Sequence, residues 1–333
     1  MEHIAEEYEQ KNIFFKQYIC KENTSDEYFS NKVSDNIFLN INKYLHEEYK
    51  YLNIVQNVIE NGNWEDSRNG RTKSVFGVNM TFSLKNNTIP ILTTKKTAWK
   101  TCLKELLWFI SGKTNNNILK NQGVHIWDDN ASTEFLNKYG IYNYKDGELG
   151  PIYGHQWRHF NAKWNGDIDY TGQGIDQLQY IIDQLKNPET RNSRRLVMTA
   201  WNPCQLNQMA LPPCHLLCQF YVHNGNKLSC ALYQRSADLC LGVPFNIASY
   251  SFLTHLIAKH CGLEAYEFKH FLGNCHIYEE HIEPFKTQLQ REPYTFPTVS
   301  IKQVRENINL YNVDDFEINN YISHDPIKFK MFC

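Results

Sequence analysis

Residues 245–262 constrain this chain most, because they form its most apolar long stretch. Asn246, Ser249, Ser251, His255, Lys259 and His260 interrupt it, which is too many polar groups for a bilayer span. The stretch therefore reads as a buried helix, and a helix that is apolar on most faces needs a folded body around it. The chain has 333 residues, 42% of them hydrophobic and 14% aromatic, enough for a sizeable core in one large domain or two ordinary ones. A formal net charge of -2 gives no whole-surface attraction to nucleic acid or anionic membrane. Any phosphate binding must come from a local cluster of arginines.

Ten cysteines in a chain this long do not make a disulfide framework, and most read as small core residues. The start, MEHIAEEYEQKN, lacks the basic and apolar regions of a secretory signal. The expected compartment is therefore reducing: cytoplasmic, with the nucleus as the alternative. Residues 1–46 are polar and weakly patterned, with a loop or disordered tail over 23–35, and read as an extension. Residues 47–333 show no linker or repeat and read as one domain.

Within that domain Leu52, Val55 and Ile59 recur at helical spacing before Gly62. Phe76, Val78, Met80, Phe82 and Leu84 alternate with smaller or polar residues, predicting a strand with one buried face. Residues 99–112 read as an apolar helix, and Ile175, Leu178, Ile181, Ile182 and Leu185 as another, closed by Asn187-Pro188. Residues 196–201 predict a buried strand. Asn224-Gly225 between 216–223 and 227–233 is a hairpin signal. Short strands near 266–271 and a helix near 276–291 follow. The expected class is α/β in the α+β sense: a single domain with a mixed, largely antiparallel sheet packed with helices.

Several residues could carry chemistry. Cys214 follows Pro212-Pro213, which fix the backbone and remove two amide donors. A rigidly held Cys at a strand start can be a nucleophile; it can equally be a core thiol. Cys214, His215 and Cys218 are close in sequence, but no second ligand pair at zinc spacing exists, and 215 and 218 should face opposite sides of a strand. A thiol titrates at about 8.5, so a thiolate nucleophile needs a nearby cation, and Arg235 at a strand end is the candidate. Arg68, Arg71, Arg191, Arg194 and Arg195 sit at loop–strand junctions, where guanidinium forks suit phosphate as readily as they suit solvent. Glu105 shares an apolar helix face with Cys102, Trp108 and Phe109, so it is either paired or poised for proton transfer. Asn246 falls where a loop enters a helix, as a cap or as a reader of a planar base edge.

These residues stand in segments that together resemble the thymidylate synthases. The segments are Glu105-Leu106-Leu107-Trp108-Phe109, Ile126-Trp127-Asp128, Leu149 through Arg158, Arg194-Arg195, Ala200-Trp201-Asn202-Pro203, Met209 through His215, Tyr233-Gln234-Arg235-Ser236, Leu241 through Tyr250 and His276-Ile277-Tyr278. The resemblance implies an obligate homodimer whose sheets pack back to back. It implies reductive methylation of dUMP to dTMP, with 5,10-methylenetetrahydrofolate giving the one-carbon unit and a hydride. Cys214 matches the family nucleophile, Glu105 the proton-relay carboxylate and Tyr153 a residue near the C5 proton; His215, Arg235 and Asn246 join that catalytic set. Arg68, Gln234, Arg235, Ser236, Asp238, Asn246, His276 and Tyr278 match nucleotide contacts. Arg194 and Arg195 match arginines that act on the neighbouring subunit's phosphate. Ile126, Trp127, Asn130, Asp238, Leu241, Gly242, Phe245 and Phe332 match the folate pocket. The resemblance implies no metal, membrane or nucleic acid.

Three departures from the family pattern stand out. The phosphate loop, usually Arg-Thr-Gly-Thr-Gly-Thr, is shortened here to Arg68-Asn69-Gly70-Arg71-Thr72-Lys73, leaving Arg68 and Arg71 as rivals. The chain ends in Phe332-Cys333 rather than a small apolar pair, and Asn274 stands where Asp is frequent. Residues 1–46 show no reductase pattern, so the expectation is a single-activity enzyme rather than a fused one. Two rival functions remain at this stage. A dCMP hydroxymethylase would share the fold, but Asn246 suits a uracil carbonyl better than a cytosine amino group. A nucleic-acid-binding module would need more positive charge.

Overall fold

The computed structural model of the chain describes residues 46–67 and 69–331. The expected extension before His46, Arg68 and Phe332 lie outside the described residues. Helix α1 (Glu48–Asn61) buries Tyr51, Leu52, Val55 and Val58 along one stripe. The chain turns extended at Gly62, whose amide still bonds to the Val58 carbonyl and where a Cβ would come within 2.5 Å of that oxygen. Strands β1 (Asn63–Ser67) and β2 (Gly70–Ser83) then form an antiparallel hairpin. Helices α2 (Trp99–Ile110), α3 (Asn116–Lys120), α4 (Thr133–Lys138), α5 (Tyr153–His159) and α6 (Gln177–Lys186) follow. Strands β3 (Val197–Thr199), β4 (His215–His223) and β5 (Lys227–Asp238) lead into helix α7 (Gly242–His260), and strand β6 (Glu264–Tyr278) leads into helix α8 (Ile282–Leu289). Strands β7 (Thr298–Ile301) and β8 (Phe316–Asn319) pair with each other.

The main sheet has the order β1-β2-β6-β5-β4-β3. Its neighbours are antiparallel except β5 and β6, which run parallel. Parallel strands need a crossover, and α7 supplies it. That helix contacts β5, β6 and α2, and fifteen of its 19 residues are buried. Its burial between sheet and helix is why it can be apolar on nearly every face. Asn224 and Gly225 take positive φ in the β4–β5 turn, the conformation that this residue pair accepts readily.

Several local expectations need correction. Residues 196–201 do not form a buried strand: β3 has three residues at the sheet edge, and Val197 is exposed. The short strands near 266–271 are one strand of 15 residues, and the helix begins only at Ile282. Strand β6 lies inside the sheet with much of it buried, so its sequence carries little alternation. Phe76 is 82% exposed although Met80 and Phe82 of the same strand are buried; Gly77 beside it has a φ of +79° and interrupts the regular pleat. Ile175 lies before α6 and is exposed, not on its buried stripe. Finally, His215 and Cys218 face the same side, both buried. The register shifts between His215 and Leu217, and that bulge reverses the alternation expected of a regular strand.

Candidate active site

The bulge at the start of β4 also sets the position of Cys214. It lies directly opposite Arg235, whose amide donates to the Cys214 carbonyl at 2.9 Å. The Arg235 side chain folds back on the same segment. Its Nε donates to Pro213 O and its Nη2 to Pro212 O, each at 2.8 Å, and Nη2 stands 4.0 Å from Cys214 Sγ. The two carbonyls anchor the guanidinium beside the thiol, and the prolines fix the backbone that carries them. The Cys214 amide donates to the Tyr153 hydroxyl at 2.8 Å. Tyr153 opens α5 and stacks on His215 with ring centroids 4.0 Å apart.

Glu105, in the middle of α2, accepts a hydrogen bond from Trp127 Nε1 at 2.7 Å. Burial pushes its carboxyl pKa up to about 7, and the Trp127 bond opposes that rise. Trp127 also meets Tyr153 edge-on at 6.2 Å, so Glu105, Trp127, Tyr153 and Cys214 form one connected group. His215 points inward. Its Nδ1 is hydrogen-bonded to the Tyr250 hydroxyl at 2.7 Å, and burial drops its pKa to about 3, which leaves the ring neutral.

The parallel pair brings the second half of the site to the C-terminal ends of β5 and β6. Ser236 pairs with Asn274 and Asp238 with His276. His276 Nδ1 donates to Asn274 Oδ1 at 2.9 Å, and its ring meets Tyr278 edge-on. Burial lowers the His276 pKa. Gln234 is buried; it donates from Nε2 to Ser236 O at 2.9 Å and accepts from His270 Nε2 at 2.8 Å. Asn246 is not the helix cap that its position suggested. Helix α7 begins four residues earlier, with Pro244 in its first turn where a missing amide costs nothing, so Asn246 stands in the second turn. Gly242 lies between it and Asp238: a Cβ at 242 would stand 3.8 Å from Asn246 Oδ1 and from Asp238 Cβ. Leu241, Gly242 and Phe245 are partly exposed at this helix start, and Ile126 and Asn130 flank the buried Trp127.

Other predicted residues stand apart. Arg194 and Arg195 are exposed before β3. Val197 pairs with Gln219, five residues beyond Cys214, or about 17 Å along β4 at about 3.4 Å per residue. Arg71 lies over the Trp64 ring at 4.5 Å and 3.4 Å from Glu279. A polar cleft of about 650 Å³ lined by Lys113, Arg158, Asp167 and Asp176 contains none of the predicted residues. Sequence reasoning missed Lys95, Tyr250 and His270. Lys95 Nζ bonds to the Cys240 carbonyl, a backbone atom distant in sequence that no local pattern marks, and it sits beside a second lysine in the polar stretch Thr93–Thr97.

The thymidylate synthase family pattern matches residues 49–333. The chain belongs to the thymidylate synthase family. It is 49% identical over 289 residues to the bifunctional dihydrofolate reductase-thymidylate synthase of Zea mays, covering 86% of this chain and 54% of that protein. Against the bifunctional enzyme of Leishmania amazonensis it is 48% identical over 304 residues, 89% of this chain and 58% of that one. A probable thymidylate synthase of Schizosaccharomyces pombe is 51% identical over 298 residues, 86% of this chain and 47% of that one. The chain thus spans about half the length of the curated relatives it matches. Among the described residues no helix is long and apolar enough to cross a membrane.

Proposed function

We propose that residues 47–333 form a catalytic domain that converts dUMP to dTMP by reductive methylation. The observation that carries this reading is the thiol of Cys214 held 4.0 Å from the Arg235 guanidinium, beside Tyr153 and a carboxylic acid raised to about pKa 7. A cation beside a sulfur favours its anionic form, and the thiolate is the nucleophile. Cys214 Sγ bonds to C6 of the uracil ring; the C5–C6 π pair moves to C5 and is delocalised onto O4. The ring thereby gains a nucleophilic carbon that the free base lacks. 5,10-Methylenetetrahydrofolate supplies the one-carbon unit and the hydride. Glu105, able to hold or release a proton near neutrality, exchanges protons with the ring through water. Tyr153, hydrogen-bonded to the Cys214 amide, lies where the C5 proton leaves.

The remaining residues bind. Arg235 and Ser236 take the phosphate of dUMP, with Arg68 completing the set from the shortened β1–β2 turn and Gln234 ordering the segment. Asn246 reads the uracil edge, while His276 and Tyr278 take the ribose hydroxyl. The partly exposed group Asp238, Leu241, Gly242 and Phe245 fits a flat heterocycle with polar edges, and we assign it to folate with Ile126, Trp127, Asn130 and Phe332. Two copies of the chain share their sites, each giving Arg194 and Arg195 to the other. Thiol chemistry of this kind suits the reducing cytoplasm or nucleus. The test is direct. Incubation with 5-fluoro-dUMP and the folate should leave a covalent adduct on Cys214 by mass spectrometry, and Cys214→Ser should form none. An adduct on any other cysteine overturns the assignment.

A further inference from the structure

Asp238, Cys240 and His281 bring one carboxylate oxygen, one sulfur and one ring nitrogen within 4.8 Å of one another. Cys240 and His281 are buried and Asp238 is partly exposed. The three come from different elements. Asp238 ends β5, Cys240 lies in the turn into α7, and His281 precedes α8. The Cys240 amide donates to Asp238 Oδ1 at 2.8 Å, which fixes the carboxylate over the turn.

The histidine is oriented from its far side. His281 Nε2 donates to the Lys330 carbonyl at 2.7 Å, so the tautomer is set and Nδ1 carries the lone pair. Tyr278 and Phe329 pack edge-on against the ring at 5.6 and 5.3 Å and hold its angle. A ring nitrogen tied to a backbone carbonyl is the device by which proteins orient a metal-ligating histidine.

We infer that Asp238, Cys240 and His281 form a binding site for a zinc-class divalent cation, with the fourth position open to water. One sulfur, one nitrogen and one oxygen are the donors such an ion takes, at about 2.0–2.3 Å, so each ligand moves inward by less than about 1 Å. Binding replaces the Cys240 thiol proton, which passes to water, and forms a metal–thiolate bond. The ion and its two anionic ligands sum to zero, one positive charge more than the carboxylate and neutral thiol they replace, and the Lys95 ammonium group bonded to the Cys240 carbonyl stands close by. Asp238 then cannot also serve folate, so ion and folate exclude each other. That consequence rests on the function proposed above; the site itself does not.

Cobalt(II) is the probe, because its thiolate complexes absorb in the near ultraviolet. Titrated into the full chain after chelation, one equivalent should give a thiolate-to-cobalt band. Cys214→Ser should keep the band and Cys240→Ala should lose it, and His281→Gln should weaken binding at least ten-fold. Thermal unfolding of Cys240→Ala in chelator, coincident with the parent chain, shows that the loss is not misfolding. No band, a band that survives Cys240→Ala, or one that vanishes with Cys214→Ser overturns the site. Zinc should also raise the apparent KM for the folate in the parent chain and not in Cys240→Ala. Inhibition that persists in that variant overturns the exclusion. A chelated chain that makes no dTMP overturns the proposed function instead and leaves the cobalt result standing.

Discussion

Glu105 shows how one residue couples stability to chemistry. Its folded pKa of about 7 lies above the unfolded value of about 4.3. Between those values the folded chain keeps a proton that the unfolded chain has released, so stability falls as pH rises through this window. The stabilisation is fully present below about pH 4.3 and lost above about pH 7, a change on the order of 4 kcal/mol at most. Glu105→Gln keeps the shape without the titration. The stability of that variant relative to the parent should therefore rise with pH, as urea unfolding at pH 5 and pH 8 would measure; a difference that does not change with pH overturns the burial argument. Its turnover should fall by about 100-fold or more, the usual scale for a positioned proton carrier. Base choice is a residue-scale matter too. Asn246, partly exposed in the second turn of α7, offers a donor and an acceptor. Asn246→Asp should lower turnover of dUMP and raise that of dCMP, since a carboxylate accepts from the cytosine amino group. A ratio of the two kcat/KM values that does not move toward dCMP removes Asn246 as the base reader.

At the scale of elements, the site depends on loops held by close backbone contact. Gly150 has a φ of +77°, and a Cβ there would lie 2.0 Å from the Gln208 carbonyl oxygen. This contact ties the approach to α5, and hence Tyr153, to the segment leading to Cys214. Gly150→Ala should cost about 2–4 kcal/mol and slow turnover together, because the clash is with backbone and cannot be relieved by a rotamer. An unchanged midpoint of thermal unfolding would show that the loop yields freely. What could be read in the sequence followed the same division. Helices α1, α2, α6 and α7 and the β4–β5 hairpin announce themselves, because each has one strong local signal in periodicity, apolar run or turn pair. Strand β6 does not, because an interior strand loses its alternation. The bulge beyond His215 is invisible locally, since it exists only as a register between two strands. Of the candidate residues, Cys214, Glu105 and Asn246 stand out in the sequence as out of keeping with their surroundings, and the family motifs join them. Lys95 and His281 do not, because their partners, the Cys240 and Lys330 carbonyls, are backbone atoms distant in sequence.

At the scale of the whole molecule, one sheet face carries exposed apolar side chains among the described residues. Val197, Leu217, Tyr221, Tyr233 and Phe271 are exposed on four adjacent strands, and Tyr233 pairs with both Leu217 and Phe271. The homodimer proposed above would cover it, since a second copy related by a two-fold axis presents an identical face. The proposed dimer also gives the two arginines a role. In their own chain Arg194 and Arg195 precede Val197, whose partner Gln219 stands about 17 Å along β4 from Cys214, beyond the reach of an arginine side chain. A second copy packed across that edge can carry them to the phosphate. The prediction is that each site needs both chains. One inactive variant lacks the Cys214 thiol, and a second has alanine at both 194 and 195. Mixed in equal amounts after partial unfolding, half the dimers become mixed. In each mixed dimer one site has an intact thiol from one chain and intact arginines from the other, while its partner site carries both defects. Activity should return to about a quarter of the native value. If heterodimers are confirmed by tag pull-down and activity does not return, the arginines act within their own chain or do not bind phosphate at all.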